Sequence, residues 1–224
     1  MAATRSEPEA RRALNELCTL YWLPLYAFAR QWGCRPEDAE DATQEFLATV
    51  AGGALLAHAS PERGRLRTFL LSAFQRDLTD LVRRAGREKR GGGSRHFVSF
   101  ELADAEAFLQ SSTPPQSPEA AFDRAWGLAC LDRAIEQLAS EYGERGRGAL
   151  FDRLRPFLDP GATPDYEAVA KTTGLTVNAL RQAVFRLRQR LRTLLRNIVG
   201  DTLAQPTDAL IDEEMIALRE VLGT

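Results

Sequence analysis

The sequence has no long hydrophobic run. No stretch reaches the roughly 18 consecutive apolar residues that a membrane-spanning helix needs. The first residues, 1–9, also lack the apolar core of a secretory signal peptide. These absences argue against a membrane-spanning or secreted protein and predict a soluble, cytoplasmic one without membrane insertion.

Cysteine and histidine are scarce. The three cysteines, Cys18, Cys34 and Cys130, follow no paired motif, and His58 and His96 are the only histidines that could join them. This pattern supports neither a disulfide framework nor a zinc site. We expect the cysteines to be buried as small hydrophobic side chains.

Enzyme motifs are lacking as well. The sequence contains no nucleophile elbow, and the glycines at 91–93 lack the strand and helix context of a phosphate-binding loop. Asp38, Asp41 and Glu45 share one helical face that could hold a divalent metal, but no histidine or second acidic helix completes such a site. We therefore expect no enzyme, no catalytic residue, no metal and no cofactor.

No segment alternates polar and apolar residues strongly enough to build a sheet, although 97–100 could form a short extended piece. Apolar residues recur instead at helical spacing, which predicts an all-α fold of two small helical domains joined by a linker. The Ser- and Pro-rich stretch before Pro118 has linker composition. We expect a first domain at 1–95, a linker at 96–120, a second domain at 121–199 and an acidic tail at 200–224.

Charge is segregated along the first domain. Its first helix should kink or break at Pro24. The second should begin at Pro36, in a segment with five acids and no base before Pro61. The third, from about Leu66 to Ala85, lies in a segment, 62–95, with ten bases and four acids. An acidic surface and a basic surface can bind different partners.

Residues 166–192 predict a helix-turn-helix, whose second helix enters the major groove of DNA. The first helix should run from about Asp165 to Thr173, Gly174 should provide the positive φ of a sharp turn, and Thr176 should cap the second helix. Apolar residues of the second helix recur at helical spacing and predict a buried stripe. The stripe consists of Leu180, Val184, Leu187, Leu191 and Leu194.

The opposite face of this second helix is basic. The segment from Thr176 to Ile198 has six arginines and no acid. The predicted outer face carries Asn178, Arg181, Gln182, Phe185, Gln189 and Arg192. A basic face with amide groups suits phosphate neutralisation and base-edge reading. The simpler alternative is a solvated helix in a bundle, but such a face would ordinarily mix charges of both signs.

Two blocks of the chain resemble the extracytoplasmic-function (ECF) family of bacterial RNA polymerase sigma factors. Residues 38–47, DAEDATQEFL, are similar to the region 2 signature of this family, and 166–191 resemble its region 4, in the same order and separation. The resemblance spans roughly residues 10–198. The segments 21–26 and 61–70 look most like the branch found in planctomycetes and related bacteria.

The resemblance implies a transcription initiation factor. Its partners would be core RNA polymerase, through the β′ clamp helices and the β flap, promoter DNA, and an anti-sigma factor or other regulatory protein. The resemblance assigns polymerase docking to an acidic outer face formed by Asp38, Asp41, Gln44 and Glu45. Contacts with the promoter −10 element fall on Arg65, Arg67, Arg76, Asp80, Arg83 and Arg84. Reading of the −35 element falls on Asn178, Arg181, Gln182, Phe185 and Arg186.

The chain departs from the family pattern in several places. Arg76 stands where the family usually has Asn, Phe69 stands where it often has Trp, and the region around 142–159 is longer than in a minimal member. We expect Phe69 and Phe74 to belong to the core. The alternative function is a helix-turn-helix regulator or adaptor that reuses the sigma fold without opening promoters.

The acidic tail predicts one more helix, from about Thr207 to Leu222. Its apolar stripe holds Ile211, Met215, Leu218 and Leu222, and its other faces hold Asp212, Glu213, Glu214 and Glu220. One hypothesis is that this helix packs on the preceding helices as extra core. The other is that it lies across the arginine-rich surface and competes with DNA.

Overall fold

The computed structural model describes residues 7–53, 55–56, 65–85, 102–110, 115–159, 161–203 and 205–223. Every regular element within these ranges is helical, which confirms the all-α prediction for that part of the chain. The predicted extended piece at 97–100 lies outside them. The α-helices are α1 (Glu7–Trp32), α2 (Pro36–Ala51), α3 (Leu66–Ala85), α4 (Leu102–Gln110), α5 (Pro118–Glu144), α6 (Gly148–Leu154), α7 (Tyr166–Thr173), α8 (Val177–Asp201) and α9 (Asp208–Leu222), and a 3-10 helix covers Arg155–Leu158.

The chain divides into two compact units within α5, between Ala129 and Cys130. The first unit holds α1 to α4, the N-terminal half of α5 and the described part of 202–205. The second holds the rest of α5 and the helices from α6 to α9. Each unit has its own buried core.

The core of the first unit is built from aromatic rings. Trp22 stacks on Tyr26 with ring centres 5.1 Å apart. Phe74 of α3 lies 5.1 Å from Phe46 of α2 and 6.1 Å from Phe28 of α1. All five side chains are buried, and each phenylalanine stabilises the fold by about 1.5–3 kcal/mol through the apolar surface it removes from water. Phe74 is thus a core residue, as predicted, whereas Phe69 is only half-buried.

Helix α1 continues through Pro24, so the chain does not break there. Proline removes a backbone donor and crowds the preceding turn, which ordinarily disfavours a helix interior. Tyr21, Leu25 and Phe28 are buried on both sides of it. The burial of these side chains on both sides of Pro24 offsets the free-energy cost of a proline inside the helix.

Helix α4 lies inside the segment 96–120, for which composition predicts a linker. Its Ala105 is buried, and Phe108 and Leu109 pack against a buried cluster that includes Ala27 of α1 and Ala125 of α5. The predicted linker therefore contains a folded helix. Its apolar partners lie far away in sequence, so local composition gives no sign of it.

A carboxylate also joins α4 to α1. Glu106 accepts a hydrogen bond of 2.6 Å from the Tyr26 hydroxyl and bonds of 2.6 and 3.0 Å from the Arg30 guanidinium. The bonds from Arg30 lower the pKa of Glu106. Burial and, to a lesser extent, the hydrogen bond to Glu106 raise the pKa of Tyr26. At neutral pH the cluster therefore contains a carboxylate, a guanidinium and a neutral phenol.

The core of the second unit is centred on α8 and includes the segment 142–159. Phe151, Leu154 and Phe157 of that segment are buried. Phe151 lies 5.6 Å from the ring of Tyr142, and Phe157 lies 4.6 Å from the ring of Tyr166, at the start of α7. The segment 142–159 is therefore part of this core, and its Phe157 packs against the first residue of α7.

Candidate functional site

Helices α7 and α8 are joined by a sharp turn whose residues each have a local role. The Asp165 carboxylate caps α7 by accepting hydrogen bonds from the backbone N–H groups of Glu167 (2.8 Å) and Ala168 (3.3 Å). Gly174 ends α7 in the left-handed region, with φ of 70°. The Thr176 hydroxyl then accepts a bond of 3.2 Å from the N–H of Ala179 and caps α8. The predicted first helix, the Gly174 turn and the Thr176 cap are confirmed.

Helix α8 has the predicted buried stripe. Leu180, Val184, Leu187 and Leu194 are buried, and Leu191 is half-buried. The five residues assigned to the −35 element are all exposed on the other side. We call this set the exposed arc of α8, and it consists of Asn178, Arg181, Gln182, Phe185 and Arg186.

Phe185 stands out within the exposed arc because it is 58 % exposed. A large aromatic side chain in water is costly on a helix that has a well-formed buried stripe elsewhere. Arg181, Gln182 and Arg186 lie one turn or less away from it on the same helix. The arc thus combines an apolar ring with cationic and amide groups, the mixture that contacts both base edges and phosphates.

Arg181 is held in place by α7. Its guanidinium carbon lies 5.7 Å from the centre of the Tyr166 ring, within the range of a cation–π interaction. Tyr166 is half-buried and packs on Phe157. The first helix therefore positions a side chain of the second, although Tyr166 was not among the residues assigned to DNA contact.

Three other arginines of α8 form hydrogen bonds or ion pairs within the second unit. Arg188 donates two hydrogen bonds, of 2.8 and 3.1 Å, to the carbonyl oxygen of Phe157. Arg190 forms a bidentate ion pair with Glu141 of α5, and these bonds lower the pKa of Glu141. Arg196 pairs with Asp208 and Asp212 of α9. Three of the six arginines of α8 therefore connect α8 to the 3-10 helix, to α5 and to α9.

The predicted C-terminal helix is present as α9, with Thr207 as its N-cap. It packs on the end of α8, where the Ile211 side chain approaches Gly200 so closely that an added Cβ would lie 3.3 Å from it. Leu218 is buried as predicted, but Glu214 is only 1 % exposed, so its placement on an outer face is wrong. Because the arc residues are exposed with α9 in place, α9 does not cover them.

The acidic outer face of α2 is smaller than predicted. Asp38, Asp41 and Glu45 are exposed, and the Arg35 guanidinium donates a 2.8 Å bond to Asp38. Gln44 is only 3 % exposed, which corrects its assignment to the outer face. Helix α2 contacts α1, α3 and α4, so its buried arc is wider than one apolar stripe suggests. The acidic face of α2 therefore consists of Asp38, Asp41 and Glu45.

The six residues assigned to the −10 element occupy several environments. Arg76 and Asp80 are exposed, and Arg65 is half-buried. The side chains of Arg83 and Arg84 lie outside the described part of the structure. The Arg67 side chain is only 13 % exposed.

Arg67 is bound inside the first unit. Its guanidinium lies 2.5 Å from the carboxylate of Asp123 and 4.9 Å from the centre of the Trp126 ring, both on α5. Trp126 is fully buried. Sequence spacing could not reveal this pairing, because 56 positions separate Arg67 from Asp123.

Within the described ranges, no helix is long and apolar enough to cross a membrane. The same residues bring no three His, Cys, Asp or Glu side chains close enough to hold a metal ion. Comparison of the chain with protein-family models, with curated proteins and with solved structures finds no match.

Proposed function

We propose that this chain is a transcription initiation factor of the ECF sigma type. It binds core RNA polymerase in the cytoplasm and directs it to specific promoters, and it catalyses no reaction itself. The observation that carries the proposal is the exposed arc of α8, presented by a short capped helix and a glycine turn. In this proposal α7 and α8 form a helix-turn-helix, and the second unit reads the −35 element.

The physical case for duplex reading rests on the composition of the arc. Arg181 and Arg186 can neutralise phosphates or pair with guanine edges, and Asn178 and Gln182 can pair with adenine edges. Phe185 offers apolar contact to a thymine methyl group. The N-terminal end of such a helix is the part that meets base edges in helix-turn-helix proteins. All five residues lie in the first three turns of α8.

The case for polymerase docking rests on the acidic face of α2. Asp41 and Glu45 lie one turn apart on the exposed side of the helix, and Asp38 continues the row toward the N-terminus. A row of exposed carboxylates attracts a basic protein surface and orients it. The resemblance to sigma region 2 implies that this basic surface is the β′ clamp helices of the polymerase.

A second candidate function is supported by the side-chain contacts of α3. Promoter opening needs basic groups free to hold a separated strand, but the guanidinium of Arg67 is bound to Asp123 and Trp126, and Asp80 is an acid. This arrangement favours a helix-turn-helix regulator or adaptor that uses the same fold without opening promoters. The two functions share the −35 contact and differ in polymerase binding and melting.

One experiment separates them. We would mix the chain with core RNA polymerase of the organism that encodes it, measure binding, and transcribe a pool of genomic fragments to map start sites. A sigma factor binds the core enzyme and produces discrete start sites. Binding to duplex DNA without binding to the polymerase would establish the alternative.

The double variant Asp41→Lys and Glu45→Lys tests the docking face. We expect it to lose polymerase binding, since like charges at an interface cost several kcal/mol. The matched control is Glu136→Lys and Asp152→Lys, which changes the net charge equally at exposed positions elsewhere. Wild-type yield of the complex with the first variant would remove the docking face from the proposal.

A further inference from the structure

Arg188 lies on the same side of α8 as the exposed arc, but its guanidinium is bonded to the protein itself. It follows Arg181 by seven residues, close to two full turns of an α-helix, so the two arginines share one side of α8. An exposed arginine in this place would ordinarily bind a phosphate. The Arg188 guanidinium instead donates through Nε and Nη2 to the backbone carbonyl oxygen of Phe157, at 3.1 and 2.8 Å.

The carbonyl group that Arg188 binds lies in the last turn of the 3-10 helix Arg155–Leu158. Carbonyl groups in the last turn of a helix have no N–H partner within that helix, and an arginine side chain can supply one. Asp159 has an extended backbone, so the 3-10 helix ends before it. The bonds from Arg188 therefore tie the main chain at Phe157 to α8.

Phe157 connects this anchor to the exposed arc. Its side chain is 1 % exposed, and its ring centre lies 4.6 Å from that of Tyr166. The guanidinium carbon of Arg181 lies 5.7 Å from the centre of the same Tyr166 ring. A series of contacts therefore begins at Arg188 and returns to α8 at Arg181.

The last contact of this series is sensitive to small displacements. A cation–π interaction extends to about 6 Å between the cation and the ring centre, and the observed 5.7 Å is close to that limit. A shift of the Tyr166 ring by a fraction of an ångström away from α8 would take Arg181 out of range. The position of Phe157, on which this ring packs, therefore bears on the orientation of Arg181.

We infer that Arg188 is a positioning residue of the DNA-reading surface and not a phosphate contact. By fixing the main chain at Phe157, it holds the Tyr166 ring where that ring orients Arg181. This role rests on the proposed reading of a −35 duplex by α8. An arginine that is oriented before binding loses less conformational entropy, and it gains affinity only on a duplex that presents its base partner. Loss of Arg188 should therefore be seen in selectivity.

The first test measures selectivity. A duplex is selected from a random pool with the wild-type chain, and affinities for this duplex and for a scrambled one are compared at several salt concentrations. Arg188→Ala should lower the ratio of the two affinities about two- to fivefold, which corresponds to the loss of an exposed cation–π contact. The matched control is Arg190→Ala, which removes the same charge from α8 and also breaks a contact with another helix. This control should leave the ratio unchanged.

Other roles of Arg188 would give different results. A phosphate contact would lower both affinities alike and reduce the salt slope by about 1, with the ratio unchanged. A purely structural contact would lower the melting temperature, as in Arg190→Ala, again with the ratio unchanged. Either result would overturn the inference.

The second test is a double-mutant cycle. If Arg188 acts through Arg181, then Arg188→Ala should not change the ratio of affinities once Arg181→Ala is present. The same should hold in the background of Tyr166→Leu. Effects that simply add would show that Arg188 acts independently of both residues, and the inference would fail.

The third test uses the free full-length chain. The ring current of Tyr166 shifts the NMR signal of the Arg181 Nε–H group. In Arg188→Ala this signal should move toward its position in Tyr166→Leu, whereas in Arg190→Ala it should stay at its wild-type position. A signal that does not move in Arg188→Ala would count against the inference.

The outcomes also separate this role from the proposed function. A wild-type chain that selects no duplex would overturn the proposed duplex reading and the role of Arg188 together. A wild-type chain that selects a duplex, with the same ratio of affinities in Arg188→Ala, would leave the proposed function standing and overturn the role of Arg188 alone.

Discussion

The guanidinium carbon of Arg181 lies 5.7 Å from the centre of the Tyr166 ring, and that ring lies 4.6 Å from Phe157. A core residue of the segment 142–159 therefore supports a ring of α7, which in turn supports an exposed arginine of α8. A long side chain that is oriented before binding loses less conformational entropy when it binds. Tyr166 is thus a positioning residue for Arg181 in the proposed −35 contact.

Replacing Tyr166 tests this role. Tyr166→Leu should weaken binding to a cognate −35 duplex by about 0.5–1 kcal/mol, the usual strength of a cation–π contact at an exposed site. Tyr166→Phe keeps the aromatic face and should bind like the wild type. Fluorescence anisotropy with cognate and scrambled duplexes measures both. Equal affinity of the two variants would show that the ring does not orient Arg181.

Arg181 and Arg190 should behave differently although they lie on the same helix. Arg181→Ala should lose about 1–3 kcal/mol on the cognate duplex and relax selectivity at one base pair. Arg190→Ala breaks the ion pair with Glu141 and should lower the melting temperature with little change in selectivity. Duplex titrations and thermal unfolding of both variants give the comparison. If Arg181→Ala weakens cognate and scrambled duplexes alike, Arg181 contacts phosphate only.

The packing of α9 predicts a structural role for the tail. Leu218→Ala should lower the free energy of unfolding by about 2–5 kcal/mol, because it leaves a cavity beside a fully buried site. Ile216→Ala, at an exposed position of the same helix, should stay within about 0.5 kcal/mol of the wild type. Neither change should tighten −35 duplex binding. Tighter binding on removal of residues 207–224, with a larger gain at low salt, would instead support autoinhibition.

The cluster around Glu106 predicts a dependence of stability on pH. The folded-state pKa of Glu106 is lowered, so its contribution to stability is complete above the ordinary glutamate pKa of about 4.3 and is lost as the pH falls through the lowered value. Glu106→Gln should lower the free energy of unfolding by about 1–3 kcal/mol at pH 7 and much less near pH 3. Urea unfolding at several pH values measures this. Glu119→Gln, at an exposed position of α5, is the control. Its difference in free energy of unfolding from the wild type should not shrink between pH 7 and pH 3 in this way.

Arg67 and Arg76 offer a matched pair on α3. Arg67→Ala removes the contacts with Asp123 and Trp126 and should lower the free energy of unfolding by about 1–3 kcal/mol. Arg76→Ala changes an exposed side chain, so it should keep the stability and reduce permanganate-detected melting of the −10 element. Unchanged melting with Arg76→Ala would count against promoter opening by this helix.

Local sequence was sufficient to predict α7, the turn and the start of α8. Their bounds depend on interactions within a few residues: the Asp165 cap, the left-handed Gly174, the Thr176 cap and the apolar stripe from Leu180 onward. Each of these is a short-range preference of a residue type for a backbone conformation or a helix face. For the same reason the exposed arc of α8 could be predicted residue by residue.

Tertiary structure decided the rest, because the deciding partners lie far away in sequence. Gln44 is buried since α2 contacts three other helices, and Arg67 is bound by residues of α5. Helix α4 forms where composition predicts a linker, and its Glu106 pairs with Arg30, 76 positions earlier. Periodicity identifies which residues share a helix face, but only the packed helices determine how much of that face remains in water.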